Sequence, residues 1–231
     1  MPTSTPDIES LFAKLQAVPM LQGLDATSLA QVARNAVKHA YAPGAVVFLE
    51  GDSAPALYYL DSGWVKVVKM SEDGREQILY FMGPGDIFGG VGVFVRRPAP
   101  ATAIALEAAE IWVLPGDAIR DMLTSNPEMA LALLEYLASR IAQLTDMVAA
   151  LSLQTVTQRL ARVLLEQADD DLIYRRRWAT QAEMAAHLGT VPEVLNRALR
   201  SLVDEQLIEF SRHKIRILDR AGLQAKSTLS R

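Results

Sequence analysis

Between Thr180 and Leu202 apolar positions recur at helical spacing in two short runs parted by a glycine, TQAEMAAHLGTVPEVLNRALRSL. In the first run Met184, Ala185 and Leu188 form the stripe. Thr180 is placed to cap that helix, and Glu183 three residues later completes a capping box. Gly189 can take the positive φ that ends a helix. Pro192 then falls in the first turn of the second run, where its missing N–H costs little. This run turns Val194, Leu195, Ala198, Leu199 and Leu202 inward and Glu193, Asn196, Arg197 and Arg200 outward. Such a pair is the helix-turn-helix pattern, whose second helix lies in the DNA major groove. A plain αα-hairpin in a helical core has the same pattern, and the stretch alone does not separate them.

The rest of the chain changes texture three times. Residues 7–39 predict two short helices, IESLFAKLQ capped by Asp7 and SLAQVARNAVKHA capped by Asp25 or Thr27. From Tyr41, glycines punctuate short β-rich runs: AVVFLE, ALYYL, WVKVVKM, EQILYFM and IALEAAEIWVL. Asp73-Gly74 between the third and fourth marks a hairpin. Short strands so closely spaced predict an antiparallel barrel or roll, with Trp64, Val68, Ile78 and Phe81 in its core.

Residues 117–125 predict a short helix, and Asn126-Pro127 breaks the chain before a long one. Along that helix Leu134, Leu137, Ile141, Leu144, Val148 and Leu151 alternate spacings of 3 and 4, an a/d seam. The seam faces either a partner helix or the chain's own roll. Ser152 to Gln154 reads as a hinge, and Thr155 or Thr157 opens the next helix, VTQRLARVLLEQA. Asp169 to Asp171 and Arg175 to Arg177 then flank a loop. After the helix-turn-helix, LIEF, a turn over Ser211 to His213, and KIRIL predict a hairpin, the wing of a winged variant. Arg212, His213, Lys214 and Arg216 would face phosphates from it. With Thr180, Gln181 and Thr190 at the helix starts, and Glu193, Asn196, Arg197 and Arg200, they complete the candidate DNA contacts. The fold class is α+β: a roll with N-terminal helices over 1–126, a long helix and hinge over 127–153, and a winged helix-turn-helix over 154–231.

Net charge is −4, which looks wrong for a DNA binder. Residues 1–152, however, hold 10 basic and 17 acidic side chains, a balance of 10 − 17 = −7, and residues 153–231 hold 13 and 10, a balance of 13 − 10 = +3. An acidic sensor joined to a phosphate-seeking domain fits this asymmetry, and so does chance. There is no cysteine, which excludes disulfides and thiolate-held zinc or iron–sulfur clusters. MPTSTPDIES lacks the pattern of a signal peptide, and no run of about 18 apolar residues exists to span a membrane, so the expected location is the cytoplasm.

In this order the elements resemble the CRP/FNR family of bacterial transcription regulators over nearly the whole chain. The likeness is carried by ALYYLDSGWVKVVKMSEDGREQIL, GPGDIFG, the long helix ending ALSLQTVTQRLARVLL, and HLGTVPEVLNRALRSLVDEQLIEF ending in KIRILDR. The stretch from ALALLEYLAS to ARVLL is similar to the DNR-type branch, whose members sense nitric oxide through haem. The resemblance implies a cyclic-nucleotide-binding-like roll (a double-stranded β-helix) and a homodimer on a twofold-symmetric DNA site. It also implies RNA polymerase as a partner and activity set by an effector in the roll. Glu193 and Arg197 match the family's E-x-x-[SG]-R recognition pattern, with Asn196 in place of Ser or Gly. The cyclic-AMP-binding members carry an Arg before that Glu, where this chain has Pro192.

The effector pocket departs further. The resemblance places it at Gly89, Gly90, Val91, Arg96, Arg97, Pro100, Ala101 and Thr102. Gly90 stands where cyclic-AMP binders carry the Glu that holds the ribose, and Pro100 where they carry the phosphate-pairing Arg. A phosphate buried without its cation is costly, which argues against cyclic AMP unless Arg96 or Arg97 reaches in. FNR-type sensing requires clustered cysteines, so haem is the remaining cofactor reading, with His39 at a helix end as the candidate ligand. His187 and His213 read as surface or phosphate-contacting side chains.

Two other classes compete with a DNA-binding regulator. A jelly-roll-like enzyme requires a cluster of metal ligands, and no His lies between Tyr41 and Leu114; P-loop, nucleophile-elbow and HExxH motifs are also absent. A ligand-binding roll that regulates a protein partner leaves the basic wing unexplained.

Overall fold

The computed structural model describes residues 5–21, 24–53, 56–211 and 213–228. The chain falls into two compact units, Met1–Lys69 with Leu79–Ala142, and Met70–Ile78 with Gln143–Arg231.

The first unit opens with α1 (Thr5–Gln16), a 3-10 turn (Pro19–Leu21) and α2 (Ala26–Asn35). Asp7 lies inside the first turn of α1, which begins before it at Thr5. Asp25 caps α2, its carboxylate accepting from the Thr27 and Ser28 N–H groups at 2.8 and 3.0 Å. The strands that follow are β1 (Val37–Tyr41), β2 (Val46–Phe48), β3 (Ala56–Ser62), β4 (Val65–Met70), β5 (Glu76–Met82) and β6 (Ile87–Phe88). Next come a short helix α3 (Val91–Val95), β7 (Thr102–Ala105), β8 (Ala109–Pro115) and α4 (Gly116–Ser125). Among the described residues the strands form two four-stranded sheets, ordered β1-β8-β3-β6 and β2-β7-β4-β5.

Three expectations change here. The second helix stops at Asn35, and Val37 to Tyr41 form β1, in antiparallel register with β8 from Val37↔Val113 to Tyr41↔Ala109. His39 is therefore an exposed strand residue opposite Ile111, away from any helix end, which removes the dipole argument for it. The run IALEAAEIWVL is two strands of different sheets, β7 and β8, parted at Leu106 to Ala108. Val68 and Ile78 are fully buried as expected, but Trp64 and Phe81 are only half-buried. Trp64 lies against Gly83, where a Cβ would come within 3.1 Å of the indole. Asp73-Gly74 does turn the hairpin from β4 to β5: the Ser71 N–H donates to Arg75 O at 2.9 Å, and Gly74 takes φ +80°.

Leu60, Val65, Met82, Phe88, Ala103 and Ile111 belong to one buried cluster of the roll. Leu11, Leu15, Val32, Trp112, Leu114 and Ile119 belong to a second, joined by Met129 and Leu133 from the start of α5 (Pro127–Leu153). That helix has 27 residues, about 40 Å at 1.5 Å per residue.

The second unit continues with α6 (Val156–Gln167), β9 (Leu172–Tyr174), α7 (Gln181–His187), α8 (Pro192–Asp204), β10 (Ile208–Phe210), β11 (Lys214–Ile217) and α9 (Arg220–Ser227). Thr155 and Gln158 close a full capping box on α6. Ser152 and Leu153 are still helical, so the break expected over Ser152 to Gln154 is narrower. The wing has three strands, ordered β10-β11-β9, because Leu172 to Tyr174 pair with β11 where a loop was expected. Leu160, Leu164, Leu188, Leu195, Leu199, Leu202 and Ile215 are buried together beneath α7 and α8.

Candidate nucleic-acid interface

The two helices of the helix-turn-helix are fixed by local chemistry. Thr180 Oγ1 accepts from the Glu183 N–H at 3.2 Å, capping α7. Gly189 takes φ +63°, and a Cβ there would also collide with the Leu151 side chain. The Thr190 N–H closes the turn onto Ala185 O at 2.9 Å, and Pro192 begins α8. Leu195, Ala198, Leu199 and Leu202 are buried and Val194 half-buried, leaving Glu193, Arg197 and Arg200 exposed along the outer face. Neither Glu193 nor Arg197 is engaged in an ion pair among the described residues. Asn196 Nδ2 donates to Gln181 Oε1 at 3.3 Å, tying α8 to the start of α7 on the same face.

The wing turn is held by Ser211, whose N–H donates to Lys214 O at 2.9 Å and whose hydroxyl accepts from the Lys214 N–H at 3.3 Å. His213, Lys214 and Arg216 are exposed; Arg212 lies outside the described residues. Sequence reading gave Arg175 no role, yet it braces this region. Its N–H donates to His213 O at 2.9 Å, its Nη2 donates to Ala179 O at 2.8 Å, and its guanidinium stands 5.3 Å from the Phe210 ring centre. Burial pushes its pKa down.

Arg159 was missed in the same way. It is 8% exposed, within the buried face of α6. Nε donates to Leu188 O at 2.9 Å, and Nη1 donates to Gln154 O at 2.6 Å and Ala150 O at 3.4 Å. The guanidinium thus satisfies Leu188 O and Gln154 O at the ends of α7 and α5, where a helix leaves carbonyls without partners, while Ala150 O also accepts from the Gln154 N–H at 3.0 Å. An arginine beside Leu160 reads in sequence as the solvated edge of an apolar stripe, so only the folded chain exposes this role. His187, expected at the surface, is half-buried in α7; burial, then the charge of Arg162, lowers its pKa and keeps it neutral.

In the roll, Phe48, Tyr58 and Phe88 pack ring to ring, with centroids 5.0, 5.4 and 6.1 Å apart. The cavity beside them, lined by Phe48, Asp52, Tyr58, Gly89, Gly92 and Ala99, holds about 10 Å³. That is barely room for one water molecule. Gly89, at φ +89°, lies against the Tyr58 ring, and a Cβ on Gly90 would meet the Phe94 ring at 2.7 Å. Ala101 and Thr102 are buried, with Thr102 Oγ1 accepting from the Glu50 N–H at 3.0 Å. Val91, Arg96, Arg97 and Pro100 are exposed and do not line this cavity. No group of three His, Asp or Glu side chains able to hold a metal occurs among the described residues. No helix among them is long and apolar enough to cross a membrane.

Residues 38–126 match the cyclic nucleotide-binding domain family, and residues 158–226 match the Crp-like helix-turn-helix domain family. The cAMP-activated global transcriptional regulator CRP of Pasteurella multocida is 30% identical over 179 residues, 74% of this chain and 84% of that protein. The chain belongs to the CRP/FNR family of transcription regulators. A CRP-like cAMP-activated global transcriptional regulator of Mycobacterium tuberculosis is 28% identical over 214 residues, 90% of this chain and 96% of that protein. FixK2 from Bradyrhizobium japonicum superposes with a TM-score of 0.74 over 85% of this chain and 99% of that one, and at 22% identity this likeness speaks to the fold. As a CRP/FNR regulator the protein is not an enzyme, and α7 and α8 lie within its Crp-like helix-turn-helix domain.

Proposed function

We propose that this regulator works as a homodimer joined along α5, presenting two copies of α8 to a palindromic DNA site. The exposed seam of α5 carries the dimer. Leu134, Ile141 and Val148 are 62%, 65% and 62% exposed, alternating with Leu137, Leu144 and Leu151 at 37% each. Apolar surface left in water costs roughly 25 cal/mol per Å². A heptad face on one helix is complementary to a second copy of itself about a twofold axis.

On DNA, Arg197 bonds guanine O6 and N7 together and Glu193 accepts from cytosine N4. Thr180, Gln181, Thr190, Arg200, His213 and Lys214 hold phosphates, and Asn196 sets the spacing between α7 and α8. Bound near a promoter, the dimer acts through RNA polymerase.

The roll answers to an effector other than cyclic AMP. Support comes from Gly90 and Pro100, which replace the ribose-holding and phosphate-pairing side chains, and from the aromatic packing of Phe48, Tyr58 and Phe88. Electrophoretic mobility of purified protein with random and with selected duplexes tests the reading. Tight, selective retardation supports it; retardation equal for all sequences, or none, refutes it.

A further inference from the structure

The first unit has a second concavity, larger than the space beside the aromatic rings. This cleft, about 290 Å³, is lined in part by Ser53, Gly92, Arg96, Arg97, Asp117 and Arg120. Of its charged side chains three are guanidinium groups and one is a carboxylate, a balance of +2. Arg120 is anchored, Nε donating to Val93 O at 3.2 Å and Nη2 lying 3.6 Å from Asp117 Oδ1. Arg96 and Arg97 are exposed, and neither is in an ion pair among the described residues.

Arg96 ends α3 in the left-handed region, at φ 54° and ψ 37°. Glycine is comfortable there and arginine is strained. A strained, charged residue kept at the rim of a basic cleft is where binding offsets backbone cost. Guanidinium groups match phosphate oxygens in planar, two-pronged pairs, and a phosphate monoester carries a charge near −2 that balances this site. The volume suits a small ligand, at the lower end of ordinary binding pockets.

We infer that this cleft binds a small phosphorylated ligand, its phosphate held by Arg96 and Arg97 against the anchored Arg120. Its lining differs from that of the cavity beside the aromatic rings, with Gly92 on the border of both.

Titration calorimetry of the full chain with inorganic phosphate and pyrophosphate, at low and at physiological ionic strength, tests this. Pyrophosphate is expected to bind more tightly than phosphate, and salt to weaken both. Arg97→Ala and Arg96→Gly each weaken binding by about tenfold or more. Because Arg96→Gly relieves the left-handed backbone, its melting temperature stays equal or rises, so lost binding is not lost folding. Binding unchanged in the double variant overturns the inference. So does the absence of binding at millimolar anion, or binding abolished by Arg197→Ala with Lys214→Ala, which would place the anion on the DNA-reading face.

Discussion

Arg159 Nε donates to the carbonyl oxygen of Leu188 at 2.9 Å, joining α6 to the residue that ends the first helix of the helix-turn-helix. The same guanidinium holds Gln154 O at 2.6 Å, beyond the end of α5. Hydrogen bonds to a charged group are worth roughly 1.5–3 kcal/mol each, and an orphaned buried carbonyl carries its own penalty. Arg159→Met keeps the volume and removes the donors. It should destabilise the second unit by on the order of 3 kcal/mol and weaken DNA binding through a loosened turn. Urea unfolding with a parallel DNA titration checks this; unchanged values for both would show that the carbonyls find other donors.

His187 gives the DNA-binding unit a pH dependence. Burial, with the like charge of Arg162 adding to it, sets its folded pKa below its ordinary value of 6.5. As pH falls through that value the unfolded chain takes up a proton that the folded unit resists. Stability is therefore complete above about pH 6.5 and declines below it, towards the depressed folded pKa. His187→Gln should flatten the decline between neutral and mildly acidic pH, as read from urea midpoints. A wild-type midpoint that rises on acidification would reverse the sign and contradict a buried neutral imidazole.

The α5 seam predicts the oligomeric state. Leu144→Lys places a charge in the middle of a face proposed to be desolvated in the dimer, at a cost of several kcal/mol. Sedimentation should then report a monomer that keeps its helical content. A variant that remains a dimer places the interface elsewhere.

The legible parts of the fold were those whose signals are local. Thr180, Gly189 and Pro192 are cap and turn residues, and they mark α7 and α8 without help from the rest of the chain. Asp73-Gly74 marks its hairpin in the same way. The strand β1 was not legible, because Val37 to Tyr41 follow α2 without a breaker and become extended only by pairing with β8, some 70 residues away. The roll interior was hidden for a related reason: Phe48, Tyr58 and Phe88 come from three strands and meet only in the folded unit. Arg159 and Arg175 were hidden because an arginine's pattern position says nothing of which carbonyls it will reach.

Cyclic AMP should bind at millimolar concentration or worse. In the proposed pocket Pro100 supplies no Arg–phosphate contact, a contact worth about 1.5–3 kcal/mol, tenfold to over a hundredfold in affinity. Opening the packing of Phe48 and Tyr58 to admit the nucleotide adds to that. Calorimetry that finds micromolar binding, coupled to a change in DNA affinity, would contradict the proposed pocket.

Selection of binding sites from a random duplex pool, by the full chain and by Arg197→Ala, bears most directly on a dimer that reads DNA through two copies of α8. The recovered sites should be palindromic, with half-sites roughly 34 Å or one helical turn apart. In the variant, preference should relax at one base pair per half-site, with a loss of about 1–3 kcal/mol. Sites without twofold symmetry, or a consensus untouched by Arg197→Ala, would contradict it.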